Sequence, residues 1–179
     1  MTYQLENVRV LVVEDNQPML EIITYLLKAY GVKEVLRARD GEEGFKIFCR
    51  EDPDFAIVDW MMQPVDGISF TKMVRRDSSS PNPYCPIILI SGFSEKRRVT
   101  TARDAGVTEF LVKPFTARDL YKRVVQIVER PRQFVRSPDF FGPDRRRKRD
   151  PKFEGERKRT DDVREPDKPR FNPEDIDFR

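Results

Sequence analysis

Five short strand-like runs, four of them largely apolar and the second weaker, each followed by a segment with helical spacing, constrain this chain more than any other feature. The runs are residues 8–13, 32–38, 55–58, 86–90 and 109–112; they are rich in β-branched residues and too short for helices. Between them the period changes. Pro18 suits a first helical turn, Leu20, Ile23, Leu27 and Tyr30 share one stripe, and Gly31 marks the stop. Asp40 and Glu43 have capping-box spacing, and their helix must end before Pro53. Asp66-Gly67 opens a third helix carrying Phe70, Met73 and Val74. Ser94 caps a fourth that Gly106 closes; with only Val99, Ala102 and Ala105 to bury, it is expected to pack loosely and stay exposed. Thr116 and Asp119 cap a fifth, whose stripe is Leu120, Val124, Ile127 and Val128.

Strict β-α alternation predicts a parallel sheet with helices on both faces. For five repeats the expected architecture is the flavodoxin-like doubly wound (βα)5 fold of the α/β class, with strand order 2-1-3-4-5. In that order the carboxyl ends of the first and third strands adjoin at the switch point, where open α/β sheets bind ligands.

The strand ends carry the chemistry. Glu14-Asp15 follows the first strand, Asp59 the third, Ser91 the fourth and Lys113 the fifth. Three neighbouring carboxylates repel one another unless a cation sits among them. The chain has no histidine, and its two cysteines lack metal-type spacing, so oxygen ligands imply a hard cation, Mg²⁺. A carboxylate can be a phosphoryl acceptor, and the charge on the moving group then needs cations and donors around it. Asp59 is the expected acceptor, with Mg²⁺, Lys113 and Ser91 on the phosphoryl oxygens. An aspartyl phosphatase of another α/β fold would need a second acid two residues on, where Met61 stands.

The net charge of +3 lies wholly in residues 131–179, which also hold 7 of the 14 prolines. Their composition predicts an extended or disordered tail after an ordered domain of residues 1–130. Arg145–Arg149 reads as a solvated charge run, with nucleic-acid binding through this basic tail as the alternative, opposed by interleaved acids such as Asp144, Asp150, Glu154 and Asp161. Phe134, Phe140, Phe141, Phe153, Phe171 and Phe178 are candidate anchors for a partner or for the domain's own surface, and residues 135–143 form the best candidate docking peptide. No apolar run is long enough to span a membrane and no signal peptide is evident, so a cytoplasmic protein with reduced thiols is expected.

Residues 5–130 resemble the receiver domain of two-component response regulators. The resemblance rests on Val12-Val13-Glu14-Asp15-Asn16, Asp59-Trp60-Met61-Met62, Asp66-Gly67, Ile90-Ser91-Gly92 and Phe110-Leu111-Val112-Lys113-Pro114. It implies that Asp59 takes a phosphoryl group from a phosphohistidine on a sensor histidine kinase or a phosphotransfer protein. It implies that Glu14, Asp15, Asp59 and the Met61 backbone carbonyl hold Mg²⁺, that Ser91 and Lys113 contact the phosphoryl group, and that Ser91 and Phe110 move together as a switch. The Lys113-Pro114 bond is expected to be cis. The output implied is contact with a downstream protein, with a phosphorylation-dependent homodimer as one form. Such a protein is a phosphoacceptor, not a turnover enzyme. Met61 and Phe93 stand where the family tunes hydrolysis; both are apolar, which predicts a slowly hydrolysed acyl-phosphate. The chain departs from the family in having Glu14-Asp15 for the commoner Asp-Asp and in Met62-Gln63, with Pro64 one place late.

Overall fold

The structure, a computed structural model, describes residues 5–92 and 96–144 and the backbone at 163–164. Ten elements alternate: β1 (Arg9–Val13), α1 (Gln17–Ala29), β2 (Glu34–Ala38), α2 (Gly41–Glu51), β3 (Phe55–Asp59), α3 (Gly67–Arg76), β4 (Ile87–Ser91), α4 (Lys96–Ala105), β5 (Glu109–Val112) and α5 (Ala117–Glu129). The five strands are parallel in the order β2-β1-β3-β4-β5, the doubly wound arrangement the alternation predicts.

Every residue of β3 and β4 is buried, and alternate side chains serve opposite layers. Val10, Val12, Phe55, Ile57, Ile88 and Ile90 pack with Leu20, Ile23 and Leu27 of α1 and with Leu120, Val124 and Ile127 of α5. Leu11, Val13, Ala56, Val58, Ile87 and Leu89 pack on the other face with Phe45 and Phe48 of α2, Phe70 and Val74 of α3 and Ala102 of α4. Each such large side chain contributes about 2 kcal/mol, so the two central strands are the best-anchored part of the sheet.

Side chains set the helix starts. Asn16 accepts from the Met19 N–H, Asp66 from Ser69, and Thr116 with Asp119 makes a full capping box. At α2, Asp40 accepts from the Glu42 and Glu43 N–H groups, but Glu43 accepts from Arg39 rather than from Asp40, so the predicted box closes one residue early. The α4 cap expected at Ser94 lies outside the described residues.

The ordered chain does not stop at Arg130. Residues 131–179 were expected to be extended or disordered, yet β6 (Phe134–Ser137) and β7 (Phe140–Pro143) form an antiparallel hairpin across a two-residue Pro138-Asp139 turn. A short strand, β8 (Val163–Arg164), pairs with the other edge of β6. Phe134, Val135, Phe140 and Phe141 are buried. Tyr84, Phe134 and Phe141 form a ring cluster with centroids 5.2–5.6 Å apart. Arg75 lies under Phe134 at 5.1 Å and donates to the carbonyls of Gly106, Pro83 and Cys85. Residues 135–143 thus dock mainly on their own domain. Of the two roles expected for these aromatics, anchoring on the domain's own surface is the one Phe134 and Phe141 take here; the hairpin itself was not foreseen because the partners, Arg75 and Tyr84, are distant in sequence.

The hairpin also corrects the expectation for α4. Ala102 and Ala105 are buried, as their place in the stripe predicts, and Val99 is 39% exposed; the helix is not left loose, because it packs on α3 and β7. Gly106, with φ +98°, ends it against the hairpin: a Cβ there would lie 3.1 Å from the Phe141 carbonyl oxygen. Arg145–Arg149, Phe153, Phe171 and Phe178 lie outside the described residues. No helix among the described residues is long and apolar enough to cross a membrane.

Candidate functional site

The parallel register brings the strand ends together. Val13 pairs with Val58, so Glu14 and Asp59 emerge side by side from β1 and β3. Ser91 pairs with Val112, which places Lys113 next beyond β5. Asp59 is 6% exposed and Glu14 1%, whereas Asp15 faces solvent. One oxygen from each of the three lies within 4.8 Å of the others.

Lys113 closes the set. Its Nζ is 2.6 Å from Asp59 Oδ1 and 3.0 Å from Glu14 Oε2. Asp59 Oδ2 accepts from the Met61 N–H at 2.8 Å, and Glu14 Oε1 from the Asn16 N–H at 3.3 Å. Burial, and then the charge of Asp59, raises the Glu14 pKa, against the pull of Lys113 and the Asn16 N–H. Burial alone would lower the Lys113 pKa, but its bonds to Asp59 and Glu14 outweigh that and raise it. The ammonium therefore stays charged where it faces Asp59.

The loop after β3 holds Asp59 from below. Trp60 N–H donates to the Ile90 carbonyl, and Gly67 N–H donates back to the Trp60 carbonyl. A Cβ on Gly67 would lie 2.2 Å from the Asp59 carbonyl oxygen, so only glycine fits where α3 begins. Gly41 N–H donates to the Val65 carbonyl and ties the loop to the start of α2. Both Gln63-Pro64 and Lys113-Pro114 are cis, the second as expected.

Of the residues singled out from the sequence, Glu14, Asp15, Asp59 and Lys113 converge directly. Ser91 is fully buried at the end of β4, and its carbonyl accepts from the Lys113 N–H at 2.7 Å. Met61 adjoins the carboxylates through its backbone, and the residue is 57% exposed. Phe110 stands apart, half-buried, meeting Trp60 edge-on at 6.3 Å while Arg98 of α4 lies over Trp60 at 5.6 Å. Phe93 lies outside the described residues. Sequence reasoning gave no role to Trp60, which bridges the acceptor loop to β5 and α4, or to Asn16, both a helix cap and a donor to Glu14. Their adjacency to Asp59 and Glu14 was the available signal.

The response regulator receiver domain model matches residues 10–125. The chain belongs to that family. It is 31% identical over 125 residues to the chemotaxis protein CheY-3 of Vibrio cholerae, covering 70% of this chain and 95% of that protein. It is 37% identical over 117 residues to CheY1 of Helicobacter pylori, covering 65% and 93%. Among solved structures, the receiver domain of the Francisella response regulator 1452 superposes with a TM-score of 0.62 at 28% identity, covering 69% of this chain and 98% of that one. Vibrio cholerae CheY4 gives 0.62 at 28%, covering 67% and 98%. The match ends at residue 125, so the β6-β7 hairpin lies beyond the matched region.

Proposed function

We propose that this receiver accepts a phosphoryl group on Asp59 from a phosphohistidine donor, a sensor histidine kinase or phosphotransfer protein, and signals through protein contact. The observation that carries the reading is the bridge from Lys113 to Asp59 and Glu14 in a pocket with exposed Asp15 at its rim. A carboxylate oxygen of Asp59 attacks phosphorus, the bond from phosphorus to the donor nitrogen breaks, and the electron pair leaves with the imidazole. Lys113 keeps its proton and faces the negative charge of the transferred group. The Ser91 hydroxyl donates a hydrogen bond to a phosphoryl oxygen. The fully buried Ile57 and Val58 keep the β3 backbone from giving way beneath Asp59.

The pocket fits a hard divalent cation. Its donors are three carboxylates, with the Met61 carbonyl as the further ligand the family resemblance assigns, and neither histidine nor cysteine takes part. Bound Mg²⁺ supplies positive charge to the phosphoryl oxygens. Asp59 is a single-turnover acceptor, and apolar Met61, with no group to orient an attacking water, favours slow hydrolysis of the acyl-phosphate.

Phosphorylation shifts a two-state equilibrium read at α4, β5 and α5. The contacts of Trp60 with Phe110 and Arg98 give the pocket a direct path to that face. The modified face then binds a downstream protein or a second copy of the chain. Titration with beryllofluoride and Mg²⁺, followed by amide chemical shifts, tests the reading. Saturable shifts at Asp59, Ser91 and Phe110 that need Mg²⁺ are expected. Unchanged shifts in a folded protein would refute it.

A further inference from the structure

We propose that the outer edge of β6 is a strand-docking site whose resident occupant is this chain's own segment Val163–Arg164. The hairpin body is fixed without that segment. Arg75 stacks under Phe134, Arg132 donates to the Thr108 carbonyl, Arg76 donates to the Asp139 carbonyl, and Phe134 and Phe141 pack on Tyr84. Thr108 and Tyr84 precede β5 and β4, so the hairpin lies at the amino end of the sheet, opposite the carboxylate pocket.

One edge of β6 is satisfied by β7 along all four of its residues. The other edge would present unpaired backbone donors and acceptors, the feature that invites strand addition. In the structure that edge pairs Val135 with Arg164 and Arg136 with Val163, antiparallel, in the sheet order β7-β6-β8. The edge is thus already shaped to take an extended chain. The occupant comes from the same molecule, and residues 144–162 connect it to β7.

Two paired residues make few ladder bonds, and closing the connecting segment costs entropy. The docked state is therefore reversible, and the segment serves as a latch that covers the edge. This inference rests on the hairpin alone and is independent of whether Asp59 is phosphorylated.

Alternate residues of a strand bond to opposite neighbours, so one of Val135 and Arg136 points its N–H at the latch. Amide hydrogen exchange of the full-length chain, read residue by residue by NMR, tests the proposal. In the Val163→Pro/Arg164→Pro variant the outward amide should exchange about tenfold faster or more, while the β6 amides bonded to β7 keep their protection. The Val163→Ala/Arg164→Ala variant keeps its backbone donors and should exchange like the wild type. Wild-type protection in the proline variant would overturn the proposal, as would equal loss in the alanine variant. Protection that falls on dilution would overturn it in favour of strand exchange between copies; protection independent of concentration supports the intramolecular latch.

Discussion

Lys113 reaches from the end of β5 to place its ammonium 2.6 Å from Asp59 Oδ1 at the end of β3, although β4 lies between the two strands. Its reach also takes in Glu14, one strand farther on. One cation therefore spans the mouth of the pocket and offsets part of the repulsion between two nearly buried carboxylates.

Replacing Lys113 tests that role. Lys113→Ala leaves Asp59 in place but removes the donor facing the incoming charge. The rate of phosphorylation by acetyl phosphate with Mg²⁺ should fall by about 10²-fold. Intact mass against time measures it, and a wild-type rate would remove Lys113 from the mechanism.

The raised Glu14 pKa gives a pH signature. Its causes are burial first and the charge of Asp59 second. A carboxyl whose folded pKa lies above its unfolded value destabilises the fold when ionised. That cost is absent below the ordinary value of 4.5 and grows as pH rises through the raised value. Without Mg²⁺, Glu14→Gln should therefore be more stable than wild type near neutral pH, with the difference closing as pH falls toward 4.5. Urea unfolding across that window reads the trend, and a pH-independent difference contradicts it.

Gly67 is predicted to tolerate no side chain. A Cβ would meet the Asp59 carbonyl oxygen at 2.2 Å and Leu89 Cδ1 at 2.8 Å, and the nearer obstacle is backbone. Gly67→Ala should lose about 2–3 kcal/mol in urea unfolding and slow phosphorylation of Asp59, whose carbonyl must move. Wild-type stability would show that the loop yields freely.

The hairpin is predicted to stabilise the whole domain. Arg75 is buried without a carboxylate; burial lowers its pKa to about 10, so it remains cationic at neutral pH. Three carbonyls accept from its Nε and Nη1 and its guanidinium faces the Phe134 ring, while Nη2 is buried with no hydrogen-bond partner among the described residues. Arg75→Ala leaves those carbonyls buried without a donor, and Phe134→Ala opens a cavity above it. Each should cost about 3 kcal/mol, and the double variant should lose less than the sum because the two residues touch. Additive losses would mean that they act separately.

The sheet was legible because β3 and β4 are buried on both faces and so consist of unbroken apolar runs. The pocket was legible because Asp59, Ser91 and Lys113 each end or follow a strand whose neighbours the topology fixes. The hairpin was not, because its burial depends on Arg75, Tyr84 and Gly106, and no local period reports a contact over such distances. Phe134 and Phe141 looked like isolated aromatics in a polar tail until the fold brought them together against Tyr84. The tight seat of Gly67 was equally hidden, since Asp66-Gly67 reads as an ordinary helix start. The stripe of α4 was read correctly as small, but small residues here allow close packing beside β7.

The most direct measurement is intact mass after incubation with Mg²⁺ and acetyl phosphate, with wild type beside Asp59→Ala. Wild type should gain the mass of one phosphoryl group, lose it under hydroxylamine, and fail to gain it when Mg²⁺ is chelated; folded Asp59→Ala should gain none. An unmodified wild type, or equal modification of Asp59→Ala, would contradict the assignment of Asp59 as the phosphoryl acceptor.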